Sequence, residues 1–396
     1  DFVFRPDLAT LRRIPWQEGT ALVMCDLEWE DGSPVVASPR QILRRQLAEL
    51  AGRGWQALVG TELEFIVFRD SYEEAWRRGY RDLEPANAYN VDYSLLGTAR
   101  IEPLLRRIRN SMAGAGLTVE SAKGECNYGQ HEIAFRYAEA LATADGHAIY
   151  KNGAKEIAAQ DGCSLTFMSK YNEREGNSCH IHLSVRADDE PLLAEGSGEP
   201  PGGAPVGREG SGEPQGGAPV NRDPHHGLSE LGRHFLAGQL ACLRELTLFL
   251  APNVNSYKRF AVGSFAPTAV AWGRDNRTCA LRLVGHGPSL RVENRVPGGD
   301  VNPYLAISAI VAAGLHGIDK GLELEDEYVG NAYESDKPRV PTSLEEAREL
   351  FAGSEVARLA FGAEVVDHYR NMARVELDAF GAAVTDWERY RGFERL

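Results

Sequence analysis

The chain has 396 residues and a formal net charge of −14 at pH 7. That sign and size argue against nucleic acid or an anionic membrane as the main partner. A hydrophobic content of 43% and a charged content of 25% fit a globular protein with two or three domains, or one large α/β domain with attachments.

The cysteines Cys25, Cys126, Cys163, Cys179, Cys242 and Cys279 are scattered without a Cys-x-x-Cys pair, so neither a disulfide framework nor a zinc site is indicated. They read as small buried hydrophobes. The longest apolar run, residues 304–315, is too short to cross a bilayer, and no signal peptide is visible. These readings point to a cytoplasmic protein. The chain opens at Asp1, and residues 1–36 read as the end of a small β unit whose earlier part is expected to lie upstream, with a strand at 21–27 and a turn at 30–34.

Ser38 and Pro39 fit the N-cap and first position of a helix whose Ile42, Leu43, Leu47 and Leu50 share one side. Residues 61–68 then read as a strand. Side chains alternate along a strand, so Glu62 and Glu64 share one face and Leu63 and Phe65 the other. Residues 70–100 read as a long loop or lid, and 100–115 as a helix closed by Gly116. A strand ending near residue 137 puts Glu132, Ala134 and Arg136 on one face, with Ile133, Phe135 and Tyr137 opposite. A helix (143–160) leads to a short strand (164–167). Residues 179–185 alternate again, with His180, His182 and Ser184 on one face.

Residues 188–224 contain a near-duplicate Gly/Pro-rich stretch, 195–206 and 209–220, without apolar periodicity. They read as a disordered loop insertion. A long helix (229–250) follows, then an irregular segment (253–259). Two strands carry Arg282 (279–284) and Arg291, Glu293 and Arg295 (290–296). An apolar helix (302–320) and an amphipathic helical end (343–380) complete the chain.

Four strands thus carry polar residues at spacing two on one face, backed by apolar residues. A single such face is usually a wet surface; four point to a sheet with a polar concave side. The carboxylates Glu62, Glu64, Glu125, Glu132 and Glu293 with an imidazole favour a hard divalent cation, Mg²⁺ or Mn²⁺. Arg259, Arg277, Arg282, Arg291 and Arg295 favour carboxylates and phosphates. Acidic metal sites beside arginines describe phosphoryl transfer from a nucleotide. The known Gly-rich phosphate loops are absent, so the residues alone indicate a metal–ATP enzyme with an anionic co-substrate.

The ordered motifs Glu62-x-Glu64-Phe65, Gly129-Gln130-x-Glu132, His180-x-His182-x-Ser184, Asn255-Ser256-Tyr257-Lys258-Arg259 and Arg291-x-Glu293-x-Arg295 resemble the glutamine synthetase family over nearly the whole chain outside 188–224. The resemblance implies an α+β catalytic domain (37–396) in which a curved antiparallel sheet forms the active-site funnel, flanked by helices. It implies that 1–36 is the tail of an N-terminal β-grasp-like domain. Glu64, Glu125 and Glu132 are implied as ligands of the metal on the glutamate side, and Glu62, His180 and Glu293 of the metal on the ATP phosphates, two or three ions in all. Tyr137, His182, Ser184, Asn255, Ser256, Lys258, Arg282 and Arg291 are implied on the nucleotide side. Tyr137 needs a strand end or twist to face Glu132. Arg259, Arg277 and Arg295 are implied as the clamp on glutamate and the phosphoryl group, with Gly176 in the substrate turn. The implied reaction passes through γ-glutamyl phosphate, which an amine then attacks, in a homo-oligomer of stacked hexameric rings.

Two positions depart from the ammonia-using pattern. A glutamate expected six residues after Arg259 is Phe265, and an asparagine expected before Gly176 is Glu175. An aromatic wall and a distal anion suit a substituted amine, so the resemblance points to the γ-glutamyl-amine branch. A polyamine such as putrescine or spermine is the first expectation. A glutamate–ethanolamine ligase, an ammonia-using glutamine synthetase and a non-catalytic member are the alternatives. Tyr333 reads as an ordinary loop residue, and His131, His147, His225, His226, His234 and His286 as structural or solvent-facing.

Overall fold

The computed structural model describes residues 1–195 and 226–395. Before residue 37, β1 (Phe2–Pro6) pairs with β4 (Cys25–Trp29), and β2 (Arg12–Arg13) with β3 (Ala21–Leu22), both antiparallel. The single strand expected at 21–27 is interrupted at Val23 and Met24. The Met24 backbone is engaged elsewhere: its N–H donates to Thr10 Oγ1 at 2.8 Å and its carbonyl accepts from Asp7 at 2.8 Å.

Helix α1 (Pro39–Ala51) leads into β5 (Gln56–Phe68), longer at its start than the alternation suggested. The stretch expected to be a loop or lid holds two short helices, α2 (Tyr72–Arg77) and α3 (Leu95–Ala99). A full capping box at Ser71 and Glu74 starts the first of them. After α4 (Glu102–Gly114) come β6 (Val119–Gly124), β7 (Gln130–Phe135), β8 (Ala138–Glu139), α5 (Ala140–Gln160), β9 (Ser164–Thr166), β10 (Cys179–Ala187) and β11 (Glu190–Pro191). The start of the expected insertion is therefore structured: Arg186 and Ala187 pair with Pro191 and Glu190. Residues 196–224 of that stretch lie outside the described residues, as does His225.

The remaining elements are α6 (Glu230–Leu250), β12 (Trp272–Arg274), β13 (Leu281–Val284), β14 (Arg291–Asn294), α7 (Pro303–Lys320), α8 (Leu344–Gly353), α9 (Glu355–Phe361), α10 (Ala363–Ala382) and α11 (Asp386–Gly392). Ten strands form one sheet in the order β12-β13-β14-β10-β5-β7-β6, with β8 and β9 on β5 and β11 on β10. All its pairings are antiparallel except β12 with β13, which is parallel, so the sheet is mixed at that edge.

The apolar face of β5 explains its placement. Val59, Leu63, Phe65 and Val67 are buried in one core with Ile149, Tyr150 and Ile157 of α5. Burying each side chain of this size is worth about 1.5–3 kcal/mol. Helices α6 and α7 approach closely because Gly238 has no side chain; a Cβ there would sit 2.1 Å from Ala313 O. Among the described residues no helix is long and apolar enough to cross a membrane.

A buried ion network ties residues 1–36 to this body. Arg40 on α1 donates to both oxygens of Asp145 on α5 (3.0 and 2.9 Å), to Asp26 (2.7 Å) and to Asp7 (2.8 Å), while Tyr304 Oη donates to Asp145 (2.6 Å). Removing the cation leaves the buried Asp145 without its ion pair, while Arg44 still reaches Asp7 (2.6 Å) and Asp26 (3.0 Å). Arg40→Met is expected to lower unfolding free energy by about 3–5 kcal/mol in a urea titration; a change within about 1 kcal/mol would show that the network carries little.

Candidate active site

In an antiparallel sheet, residues directly opposite one another share a face. Glu62 on β5 lies opposite His180 on β10, Glu64 opposite Glu132 on β7, and His182 opposite Glu293 on β14. Arg282 on β13 lies opposite Glu293 from the other side. The one-sided polarity of four strands therefore becomes a single polar surface.

One end of that surface gathers Glu64, Glu125 and Glu132, with one oxygen of each within 4.8 Å of the others. Glu64 accepts the Ser178 N–H (2.6 Å) and the Gln130 side-chain amide (3.1 Å); the same amide also donates to Gly176 O (2.9 Å). Gln130 thus fixes the Gly176 turn against Glu64. No larger residue fits that turn, since a Cβ on Gly176 would meet Ser169 O at 2.3 Å. Burial, then the nearby Glu125, pushes the Glu64 carboxyl up to about 7. Burial and the Glu62 charge hold Glu132 well above the usual carboxylate range, and burial raises Glu125. Three oxygen donors whose carboxyls are raised by burial and, for Glu64 and Glu132, by neighbouring carboxylates fit a hard divalent cation, which would favour their ionised form.

The other end gathers Glu62, His182 and Glu293, again with ligand atoms within 4.8 Å. His180 Nδ1 lies 3.2 Å from Glu62 and 3.4 Å from Glu293, and its Nε2 is buried without a partner among the described residues. Both imidazoles therefore reach the carboxylate pair. His182 Nδ1 accepts from Arg291 Nε (3.3 Å), which leaves Nε2 to donate to Glu62 (3.0 Å). Burial would raise the Glu62 carboxyl, but hydrogen bonds from His180 and His182 outweigh it and hold it far below the ordinary range. Glu293 is likewise lowered by His180 and Arg295 against the effect of burial. Burial, with Arg295 nearby, depresses His180 to about 4, so this imidazole is neutral and suited to ligation.

Glu62 belongs to the walls of two adjoining cavities. The first, about 430 Å³, has Tyr137, His182, Ser184 and Arg291 in its lining. Tyr137 reaches it because β7 ends at Phe135, so strand parity no longer governs its side chain. The second, about 180 Å³, is lined by both carboxylate groups and by Glu175, Gly176, Phe265, Arg277, Arg282 and Arg295. Arg282 donates to Glu293 (3.1 Å) and Asp275 (3.2 Å), and Arg295 to Glu293 and Phe265 O (3.3 Å). Phe265 has a positive φ of 58°, a strained conformation for a residue with a side chain, and is 55% exposed.

Four predicted site residues lie elsewhere. Asn255 clamps the Lys170 backbone (2.9 and 2.8 Å), Ser256 donates to Asp300 (2.6 Å), and exposed Lys258 faces the Phe380 ring. None lines the nucleotide-side cavity, because residues 256–259 wind into a 3₁₀ turn that aims these side chains at neighbouring loops. Arg259 is 1% exposed and stands behind the wall, bonded to Val296 O (2.8 Å), Arg295 O (3.1 Å) and Ser178 Oγ (3.0 Å). It braces the clamp. Sequence reading missed Lys123, Asp92 and Tyr93, which line the second cavity. Lys123 stands opposite Glu132 on β6, a strand whose sequence Val-Glu-Ser-Ala-Lys-Gly has little strand character. The only signal was its position two residues before Glu125.

A family model described as "Glutamine synthetase, catalytic domain" matches residues 36–208 and 214–391. The gamma-glutamylethanolamide synthetase GlnA4 of Streptomyces coelicolor is 66% identical over 397 residues, covering 100% of this chain and 80% of that protein. A glutamate–isopropylamine ligase of a Pseudomonas species is 37% identical over 398 residues, covering 99% and 81%. The solved GmaS/ADP complex superposes with a TM-score of 0.84 at 28% identity, covering 100% of this chain and 86% of that one.

The raised carboxyls make metal-free stability pH-dependent. The folded chain holds protons on Glu64 and Glu132 that the unfolded chain has released, so stability falls as pH rises through about 7. The buried His131 and His147, depressed to about 4 and 3, act oppositely, but only below the ordinary imidazole value of 6.5. In EDTA the melting temperature is expected to fall between pH 6.5 and about 8, and with saturating Mn²⁺ this fall is expected to vanish. A metal-free melting temperature that is flat or rising over this window would contradict the raised carboxyls.

Proposed function

The chain belongs to the glutamine synthetase family, and on that premise we propose that it is an ATP-dependent ligase joining the γ-carboxylate of glutamate to a small primary amine, with an ethanolamine-type monoamine as the first candidate. The observation that carries this reading is Phe265. An aromatic ring stands at the cavity that holds the carboxylate groups and arginines, where the ammonia-using pattern has a carboxylate. A phenyl ring attracts ammonium less than a carboxylate does and cannot take its proton, but it covers the carbon chain of a substituted amine. The likeness to two relatives named for ethanolamide and isopropylamine products supports a monoamine. The polyamine reading has its own support in Asp92 and Glu175, two carboxylates in the same cavity suited to a distal ammonium.

The residues divide the work as follows. Tyr137, Ser184 and Arg291 would hold the nucleotide in the larger cavity, a reading consistent with the ADP carried by the GmaS structure. Glu64, Glu125 and Glu132, and Glu62 and Glu293 with His180 or His182, would hold divalent ions, two or three of Mg²⁺ or Mn²⁺. Bound there, such ions supply positive charge to the phosphate oxygens in flight. Arg277, Arg282 and Arg295 orient glutamate and offset charge on the transferring group. A γ-carboxylate oxygen attacks the γ-phosphorus and ADP leaves. The amine nitrogen then attacks the acyl phosphate, the C–O bond to phosphate breaks, and the nitrogen loses a proton.

A homo-oligomer of stacked rings in the cytoplasm is part of the proposal. The exposed Phe4, Leu8 and Leu11 before residue 37 fit a surface that a second copy covers.

The test is ADP release from the full chain with glutamate, Mg-ATP and a panel of ethanolamine, isopropylamine, putrescine and ammonium. Ethanolamine is expected to exceed ammonium in kcat/KM by about 10-fold or more. Putrescine leading the panel would favour the polyamine reading, and ammonium leading it would overturn the proposal. Phe265→Glu is expected to narrow the ethanolamine-to-ammonium ratio while leaving the KM for ATP unchanged.

A further inference from the structure

Lys123 sits inside the first group of carboxylates. It projects from β6 opposite Glu132, with Nζ 3.2 Å from Glu125 and 3.4 Å from Glu132. Its ammonium thus contacts two of the three residues whose oxygens converge within 4.8 Å. The side chain is 30% exposed, and its ammonium also lies 5.6 Å from the centre of the Tyr93 ring at the cavity wall.

Counting charge shows what this placement requires. With all three carboxyls ionised, the form that binds a metal, the group carries −3, and the lysine reduces this to −2. A divalent ion bound to all three oxygens would lie a few ångströms from an ammonium that shares two of them. Two cations at that separation repel strongly in a partly buried site. The lysine stem is flexible and the Tyr93 face offers a nearby seat for its charge.

We propose that Lys123 is a positioning residue, the resident counter-cation that holds Glu125 and Glu132 in place before metal binds, and that a divalent ion enters this site by displacing it toward Tyr93. The proposal rests on reading Glu64, Glu125 and Glu132 as a cation site. It assigns the lysine a cost: metal binds this site more weakly than the bare carboxylates would bind it, and bound metal frees an ammonium at the wall of the amine cavity.

The test is Mn²⁺ binding to the full chain, without nucleotide or amine, by calorimetry and by the Mn²⁺ spin-resonance signal. Glu132→Gln identifies which binding class belongs to this site. Lys123→Met is expected to bind Mn²⁺ in that class about tenfold more tightly or better. It is also expected to melt lower in EDTA and to gain more from Mn²⁺ than wild type. Lys123→Gln, which keeps a polar side chain but no charge, is expected to do the same, and Lys123→Arg to restore wild-type affinity. A merely structural lysine predicts the opposite sign, weaker binding in both neutral variants. Unchanged or weaker binding in these variants overturns the role of Lys123 alone. If Glu132→Gln removes no binding class from wild type, the cation-site reading falls and the proposal with it.

Discussion

Like charge is crowded onto one face of a sheet, and the rest of the site is arranged around that constraint. Glu62, Glu64, Glu132 and Glu293 project from β5, β7 and β14 of one sheet, with β10 between β5 and β14, and Glu125 joins them from the turn before β7. In a partly buried setting such a group cannot ionise together without positive charge close by. The two ends of the surface meet this demand differently. Glu62 and Glu293 are answered by two imidazoles and two arginines, and both carboxyls are held low. At the other end Lys123 touches Glu125 and Glu132 but not Glu64, and all three carboxyls remain raised. The first end is nearly self-neutral; the second is the one that calls for an added cation.

The fold makes this crowding affordable. The same β5 residues that alternate with Glu62 and Glu64 are buried against α5, so the strand cannot slip by one residue without exchanging carboxylates for core. Behind the polar face, further side chains fix the loops. Gln130 ties Glu64 to Gly176, Arg259 spans Ser178 to Val296, and Asp300 accepts from Ser256 and Asn253. Of these groups Glu64, Gln130, Gly176 and Ser178 line the second cavity, and the others line neither. They set where the reacting side chains stand, in the manner of partners that orient metal ligands.

Much of this was legible from alternation. Period-two polarity on β5, β7, β10 and β14 put the metal-competent residues on one face, and register brought those faces together as expected. What failed were residues whose role depends on a local turn. The Asn255-Ser256-Tyr257-Lys258-Arg259 run has the family order, but a 3₁₀ turn directs Asn255 and Ser256 to neighbouring loops and buries Arg259 behind the wall. Tyr137 reaches its cavity because a strand ends two residues earlier, which parity alone does not predict. Lys123 was invisible because β6 carries glutamate, serine, alanine and glycine where strands favour branched and aromatic residues. The ordered turns in residues 70–100 were hidden in the same way by polar composition, although the Ser71 and Glu74 capping box was there to be read.

On the proposed function, these carboxylates and arginines would organise transfer of a phosphoryl group to the γ-carboxylate of glutamate before an amine displaces it. Glutamate labelled with ¹⁸O in its γ-carboxylate tests this most directly. Turned over with Mg-ATP and ethanolamine, it is predicted to deliver one ¹⁸O atom into each inorganic phosphate released, because the C–O bond to the phosphoryl group must break. Phosphate free of label, with γ-glutamylethanolamide still formed, would contradict the account.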